Sequence, residues 1–169
     1  MWLTVLSPSP DGPAKYSLEP AKGQPYSRIV ADFESPLGSG QKKREVVEEG
    51  VYSMTVVKSI ECRAPRGRMS LIRIDDMKPR YLVLMARGGE VLRLWSETTL
   101  GRVRMYEKAG DVLLEVDNVM DDPRMAGHPV DYEPGKEDRY VQKWQFDASS
   151  MRFGFEGTSF HWYKSKAAR

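Results

Sequence analysis

Apolar and polar residues alternate at every second position through much of the chain, which is the period of a β-strand with one buried face. Residues 81–85 are apolar throughout, which predicts a central strand buried on both faces. Turn residues separate the segments, and Gly88-Gly89 predicts a tight hairpin because paired glycines supply its positive φ angles. The pattern predicts about eleven strands, at residues 2–6, 26–33, 51–62, 68–74, 80–86, 90–95, 102–106, 111–116, 140–146, 151–155 and 160–162.

The spacing of these segments predicts the fold class. Strands of about six residues at intervals of about ten, joined by turns, indicate an all-β antiparallel barrel or sandwich with little helix. Because 169 residues are about one domain's worth of chain, residues 1–169 are predicted to form a single domain. Irregular surface loops are predicted at the proline-rich residues 7–25 and the aperiodic residues 118–138, with any helix confined to a short turn near 42–49 or within 118–138.

Aromatic side chains dominate the last thirty residues of the chain. They occupy alternate positions of three short segments, and the residues 147–150 and Gly157-Thr158 are predicted to reverse the chain between these segments. Such a stripe is more often core than a stacking platform for bases, which would need exposed rings surrounded by basic residues. The predicted core aromatic residues are Trp144, Phe146, Phe153, Phe155, Phe160 and Trp162.

Composition narrows the class of protein. Hydrophobic residues at 40% and charged residues at 30% are typical of a soluble globular protein, and a net charge of +2 does not by itself imply a nucleic-acid or membrane partner. The single cysteine, Cys62, is more typical of a small buried side chain than of a nucleophile. Residues 2–6 are too few for a secretory signal, and no segment has the roughly 18 apolar residues of a membrane span, so a cytoplasmic or nuclear location is predicted.

Charge is distributed unevenly along the chain. Residues 51–108 carry 12 lysines and arginines against 6 acidic residues, whereas residues 109–139 carry 3 against 9. An anion-binding face for phosphoinositides or nucleic acid is therefore one hypothesis, because arginine suits bidentate phosphate contacts. The candidate residues are Arg66, Arg68, Arg102 and Arg104. The favoured interpretation is that the acidic segment pairs with these arginines, which predicts no measurable binding to anionic vesicles or short duplexes near physiological salt.

Residue patterns for catalysis are scarce. His128 and His161 lack the spacing of metal ligands, and the adjacent carboxylates Asp75-Asp76 and Asp121-Asp122 are more typical of turns than of acid-base catalysis. Gly88-Gly89 joins strand to strand, so it offers no helix N-terminus to a phosphate. We therefore predict no catalytic, cofactor-binding or metal-ligating residue and no cofactor.

Residues 151–164, with Trp144 and Phe146 before them, contain the motif Phe-x-Phe-x-Gly followed by aromatic-x-Trp. This motif resembles the aromatic hairpin of fungal proteins in the tubby C-terminal-like superfamily. The resemblance implies a closed antiparallel barrel of about twelve strands around a hydrophobic central helix. The chain departs from that family because it has no long apolar segment for the helix, and no phosphoinositide-binding position can be transferred to it.

These patterns favour a non-enzymatic β module that binds a protein or a small ligand. Anionic-lipid or nucleic-acid binding through the arginines is the second hypothesis. An enzyme of unrecognised class is the third, and it would require convergent polar groups with perturbed ionisation in a pocket.

Overall fold

A computed structural model of the protein describes residues 12–35, 41–63, 65–119 and 136–164, and the side chains of all of these except 119, 136–139 and 160–164. All regular structure in these ranges is strand and none is helix, which confirms the all-β prediction. The strands are β1 (Lys15–Pro20), β2 (Ser27–Ser35), β3 (Gln41–Val51), β4 (Met54–Arg63), β5 (Arg66–Ile74), β6 (Arg80–Arg87), β7 (Glu90–Thr98), β8 (Arg102–Lys108), β9 (Asp111–Val119), β10 (Lys136–Asp147) and β11 (Arg152–Lys164).

The strands form three antiparallel sheets in which each strand pairs with its neighbours along the chain. The sheet orders are β1-β2-β3, β4-β5-β6-β7 and β8-β9-β10-β11, and none of these sheets closes on itself within the described ranges. The chain divides into two compact units, Met1–Thr98 with the first two sheets and Thr99–Arg169 with the third. The single domain over residues 1–169 stays a prediction.

The core of the first unit is shared by its two sheets. β6 lies between β5 and β7, and its residues 81–86 are all buried, as the apolar run predicts. Alternate residues of β5 and β6 join a cluster with residues of β1, β2 and β3, so apolar burial holds the two sheets together. The cluster consists of Tyr16, Ile29, Ala31, Phe33, Val51, Ile72, Ile74, Leu82, Leu84 and Ala86.

The turn between β6 and β7 is the predicted glycine hairpin. Gly88 and Gly89 have φ angles of 65° and 81°, and Arg87 pairs with Glu90 across the turn. Positive φ at both central positions matches the twist of the flanking strands and is disfavoured for residues with a Cβ atom. The Gly-Gly pair therefore sets the register of β6 against β7.

No helical turn forms at residues 42–49, where any helix was expected to be confined, because these residues belong to β3. β3 pairs with β2 over its whole length, and the register shifts twice, leaving Val47 and Gly50 without a partner residue. Gly50 has a φ of 71°, which suits a β-bulge. The lysines, arginine and glutamates of this segment lie along a strand at the edge of its sheet.

The first strand of the described chain lies inside the segment predicted to be irregular. β1 begins two residues after Pro13 and contains one proline, Pro20, which is its last residue. β1 is an outer strand, where proline is tolerated because one side of the backbone needs no ladder hydrogen bond. The predicted strand at residues 2–6 and most of the predicted 118–138 loop lie outside the described residues.

The second reversal predicted in the aromatic segment, at Gly157-Thr158, is wrong. β11 runs unbroken from Arg152 to Lys164, and a register shift against β10 leaves Glu156 without a partner residue. Gly157 has a φ of 152°, so glycine here serves a bulge rather than a turn. The first reversal is correct, since Asp147 Oδ1 accepts hydrogen bonds from the backbone N–H of Ser149 at 2.9 Å and from its hydroxyl at 2.7 Å.

Charged side chains of β3 contact the outer edge of β7. The Glu48 carboxylate accepts hydrogen bonds from Arg80 at 2.7 Å and from Arg93 at 2.6 Å, and it is only 14% exposed. Glu45 Oε2 accepts a hydrogen bond from the backbone N–H of Val91 at 2.9 Å, and Arg93 also donates to the carbonyl of Val47 at 3.3 Å. β3 therefore binds backbone and side-chain groups along this edge.

The turn between β7 and β8 has no room for a side chain at Gly101. Thr99 Oγ1 donates to Asn118 Oδ1 at 2.7 Å and accepts from the backbone N–H of Gly101 at 2.9 Å. A Cβ atom on Gly101 would lie 2.2 Å from Asn118 Oδ1 and 2.8 Å from the carbonyl oxygen of Asp117. Glycine is therefore required here by space rather than by a positive φ.

Gly101→Ala is expected to lower the free energy of unfolding by about 1–3 kcal/mol, because the new methyl group must displace Asn118 and break its bond to Thr99. Gly12→Ala is the matched control, since the nearest atom to its Cβ position is the carbonyl oxygen of Glu34 at 3.5 Å, an ordinary contact distance. Urea denaturation of both variants measures the difference. Equal stabilities would contradict the steric explanation.

Candidate interaction surfaces

The four arginines predicted to bind anions lie on two strands in different units. Arg66 and Arg68 are on β5, and Arg102 and Arg104 are on β8. Arg68 Nε lies 2.5 Å from Glu61 Oε1, and Arg104 Nε lies 2.8 Å from Glu115 Oε2. Two of the four charges are therefore already paired with carboxylates, and the anion-binding face stays a prediction.

Glu115 on β9 is the centre of a polar network on the third sheet. It is buried, and its Oε1 accepts a hydrogen bond from the Tyr106 hydroxyl at 2.6 Å and lies 3.5 Å from Lys143 Nζ. Its Oε2 accepts from Arg104, whose guanidinium lies 5.3 Å from the centroid of the Tyr106 ring. Arg104 and Lys143 are the cross-strand partners of Glu115 on β8 and β10, so the sheet register itself brings the charges together.

The ionisation of this network follows from its contacts. Burial raises the pKa of the Glu115 carboxyl, but the hydrogen bonds from Tyr106 and Arg104 outweigh burial, and the pKa is lowered overall. Burial and the hydrogen bond to Glu115 raise the pKa of the Tyr106 hydroxyl. The hydrogen bond to Glu115 also raises the pKa of the Arg104 guanidinium. Glu115 is thus held ionised, and Tyr106 and Arg104 are held protonated, as these side chains are at neutral pH. This is typical of a structural ion pair rather than of an acid-base catalyst.

Two arginines face each other at the end of the β4–β5 hairpin. Arg63 and Arg66 are direct cross-strand partners, and both are exposed. Neither forms an ion pair with another residue that the structure describes. Like charges at directly opposite positions destabilise a strand pair, so the hairpin end carries an uncompensated repulsion.

β4 exposes apolar side chains at the outer edge of the second sheet. Residues 55–59 are all exposed, with Val56 and Val57 each at 43%, and Tyr52 just before the strand is 67% exposed. The register skips Val57, so this residue lies in a β-bulge and two consecutive valines reach solvent. A strict alternation of faces would have exposed only one of them.

The aromatic residues of the third sheet differ in their burial. Phe153 is 8% exposed, Trp144 and Phe146 are half-buried, and Phe155, expected in the core, is 57% exposed. Trp144 packs against Phe155 and Phe146 against Phe153, in each case with 5.3 Å between ring centroids. Phe155 is exposed because β11 is the outer strand, which has a neighbour on one side only within the described sheet. The side chains of the predicted core residues Phe160 and Trp162 lie outside the described set.

An open pocket of about 510 Å³ lies against β2 and β3 in the first unit. Its charged lining residues are two acids and two lysines, so it has no net preference for either sign of ligand charge. Phe33, the aromatic lining residue, is itself 4% exposed and belongs to the core. The lining residues are Gly12, Pro13, Asp32, Phe33, Glu34, Lys42 and Lys43.

Other candidate chemistry is limited in the described part of the chain. No group of three or more His, Cys, Asp or Glu side chains there could hold a metal ion, and no helix there could span a membrane. Asp75 accepts from Ser53 and pairs with Arg73, while Asp76 accepts from the backbone of Met77, so both carboxylates serve the turn as expected. His128 and the side chain of His161 lie outside the described set.

No family model, curated protein or solved structure matches the chain. The resemblance of the C-terminal hairpin to the tubby C-terminal-like superfamily therefore stays a prediction. The exposed residues of β4 and the opposed arginines were missed from the sequence because both depend on strand register. The Pro65-Arg66-Gly67 sequence was the available signal for a reversal, although Arg66 and Gly67 belong to β5 and Arg66 pairs with Arg63 there.

Glu115→Gln is expected to lower the free energy of unfolding at pH 7 by about 1–3 kcal/mol, because charge-assisted hydrogen bonds from Arg104 and Tyr106 are weakened. The folded-state pKa of Glu115 is lowered, so its contribution is present above the unfolded-state pKa and is lost as pH falls through the folded-state value. The difference between parent and variant should therefore shrink below about pH 4.

Urea denaturation at several pH values measures this difference. Glu107→Gln is the control, since Glu107 is exposed and lies on the neighbouring strand β8. A stability difference for Glu115→Gln that stays constant from neutral to acidic pH would contradict the assignment.

Proposed function

We propose that the protein is a non-enzymatic interaction module that binds an extended, acidic segment of a partner polypeptide along β4. The observation that carries the proposal is the exposed pair Val56 and Val57 on an outer strand. We also infer that the two sheets of the first unit form a sandwich, because their apolar residues share one cluster. The expected location remains the cytoplasm or nucleus.

The two edges of the second sheet differ, which supports β4 as the binding edge. The edge at β7 is contacted by β3, through Glu45 on the Val91 amide and Arg93 on the Val47 carbonyl. Within the described chain β4 pairs only with β5. An added strand gains main-chain hydrogen bonds from such an edge, and exposed side chains on alternate positions supply specificity.

Charge supports an acidic partner. Among the exposed cations of this hairpin, Lys58, Arg63 and Arg66 form no ion pair with another described residue, whereas Arg68 and Arg73 are paired with carboxylates. The one acidic residue of β4, Glu61, is paired with Arg68. A segment that alternates β-branched and acidic residues would cover the valines and neutralise the cations. Such charge complementarity speeds association and fixes which residues of the two strands lie opposite one another.

A synthetic ten-residue peptide of alternating valine and glutamate is expected to bind at least about tenfold more tightly than its valine-lysine counterpart, because only the first complements the cations. Fluorescence anisotropy with labelled peptides measures both affinities. The double variant Val56→Ser/Val57→Ser should weaken binding of the acidic peptide about tenfold or more.

Leu100→Ser is the matched control, since Leu100 is 74% exposed and lies in the turn between β7 and β8. Equal affinity for the two peptides, or binding unchanged in the double valine variant, would overturn the proposal for β4. Thermal denaturation of each variant separates a binding effect from unfolding.

A second candidate function, binding of a phosphate-bearing lipid headgroup, rests on the opposed Arg63 and Arg66. An anion between the two guanidinium groups would relieve their repulsion, and arginine suits such bidentate contacts. This differs from the arginine set predicted from sequence, because Arg68 and Arg104 already have carboxylate partners.

If this second function holds, vesicles containing phosphoinositide will bind at low salt, and binding will fall steeply as salt is raised. Arg63→Ala/Arg66→Ala should abolish the binding, while Arg68→Ala/Arg104→Ala should leave most of it. Binding lost equally in both double variants, or equal binding to a short DNA duplex, would contradict a headgroup site at the hairpin end.

A further inference from the structure

β11 is the outer strand of the third sheet, and its first five residues have a pattern that is symmetric about Gly154. In Arg152-Phe153-Gly154-Phe155-Glu156 the aromatic residues flank the glycine, and residues of opposite charge stand at the two ends. Within the described sheet this strand pairs only with β10. Its other edge therefore presents backbone groups that an added strand could pair with.

Consider a second copy's β11 that pairs antiparallel with this strand so that the two Gly154 residues are opposite each other. The charged residues at both ends of the pattern would then face residues of opposite charge. Arg152 would lie opposite the second copy's Glu156, and Phe153 opposite the second copy's Phe155. The two-fold axis repeats each pair, as in every isologous interface. Arg152 and Glu156 are both exposed, and neither forms an ion pair with another described residue, so both are available.

We propose that two copies of this chain associate by antiparallel pairing of their β11 strands about a two-fold axis at Gly154. The two third sheets would then form one continuous sheet of eight strands, β8 to β11 followed by β11 to β8 of the second copy. This is a self-association surface on the second unit, and it is independent of the partner proposed for β4.

The aromatic face supports this register. Strand alternation places Phe153 and Phe155 on one face and Arg152 and Gly154 on the other, and Glu156 follows them as the bulge residue of the strand. Phe155 is 57% exposed although its ring already packs on Trp144, and Phe153 packs on Phe146. Self-pairing would extend these contacts into rows of four rings, Trp144 and Phe155 of one copy followed by Phe153 and Phe146 of the other.

Other symmetric registers do not pair the charges. Centring the axis on Phe155 would place Arg152 opposite Thr158 and Glu156 opposite Gly154. Centring it on Phe153 would place Glu156 opposite Ser150. A shift of one residue therefore loses both ion pairs and leaves one phenylalanine pair where the proposed register has two, so charge and aromatic pattern select the same register.

Gly154 has no evident role within its own chain. Its φ is outside the left-handed region, and among the described residues the only atom within 4 Å of its Cβ position is the carbonyl oxygen of Gln145, at 4.0 Å. In the proposed pairing Gly154 is the point where the two backbones meet, and it places no side chain between the two ion pairs.

Charge reversal tests the proposal. Sedimentation equilibrium of the parent chain should show concentration-dependent association towards twice its mass of 19.3 kDa. Arg152→Glu and Glu156→Arg should each weaken self-association at least about tenfold, because each places like charges opposite one another twice. An equimolar mixture of these two variants should associate as well as the parent, since each copy then supplies the charges that the other lacks.

Controls separate pairing from folding. Both substituted residues are exposed, so thermal denaturation should be unchanged in the two variants. Phe155→Ser should weaken association, whereas Leu100→Ser should not, although Leu100 is also exposed. A parent chain that stays monomeric up to about 0.5 mM, a dimer that survives either charge reversal, or a mixture that fails to associate would each overturn the proposal.

Discussion

A sheet built only from consecutive hairpins has two outer strands, and the unpaired backbone groups of those strands constrain the whole structure. The three sheets here leave β1, β3, β4, β7, β8 and β11 at their margins. An open edge is a template for further pairing, so each edge must be blunted, covered or used. Pro20 ends β1, two bulges interrupt β3, and side chains of β3 contact β7. β4 and β11 have bulges as well, yet they keep exposed apolar residues, which is why both are proposed as binding surfaces.

Carboxylates that each receive two cations recur in both units. Glu48 binds Arg80 and Arg93, and Glu115 binds Arg104 with Lys143 nearby. In each case the carboxylate is the less exposed partner, so several charge-assisted contacts offset its loss of hydration. Within the described residues, local pairing of this kind engages five of the twelve lysines and arginines of residues 51–108, namely Arg68, Arg73, Arg80, Arg93 and Arg104. The cations that remain unpaired, such as Arg63 and Arg66, then stand out as sites for a partner.

The sequence predicts the existence of most strands but only part of the candidate surfaces. The period of two identifies β2 and β5 to β9 because one or both of their faces are buried against apolar neighbours, whereas β-branched and aromatic composition identifies β4 and β10. It misses β3, whose charged residues outnumber its apolar ones, and it divides β11 at Gly157 because glycine marks bulges as well as turns. Periodicity shows which residues share a face but not whether that face is covered. The exposure of Phe155 therefore needed the structure, and so did the opposition of Arg63 and Arg66.

The local order of the strands has a consequence for how the chain acquires its structure. Every strand pairing within the described residues joins neighbours in sequence, so loop closure between partners costs little entropy and the contact order of these sheets is low. During synthesis β1, β2 and β3 can pair before β4 has left the ribosome, and each later sheet can form in turn. Strand pairing thus needs no distant partner, whereas the apolar face of β1 to β3 is covered only when β5 and β6 have been made.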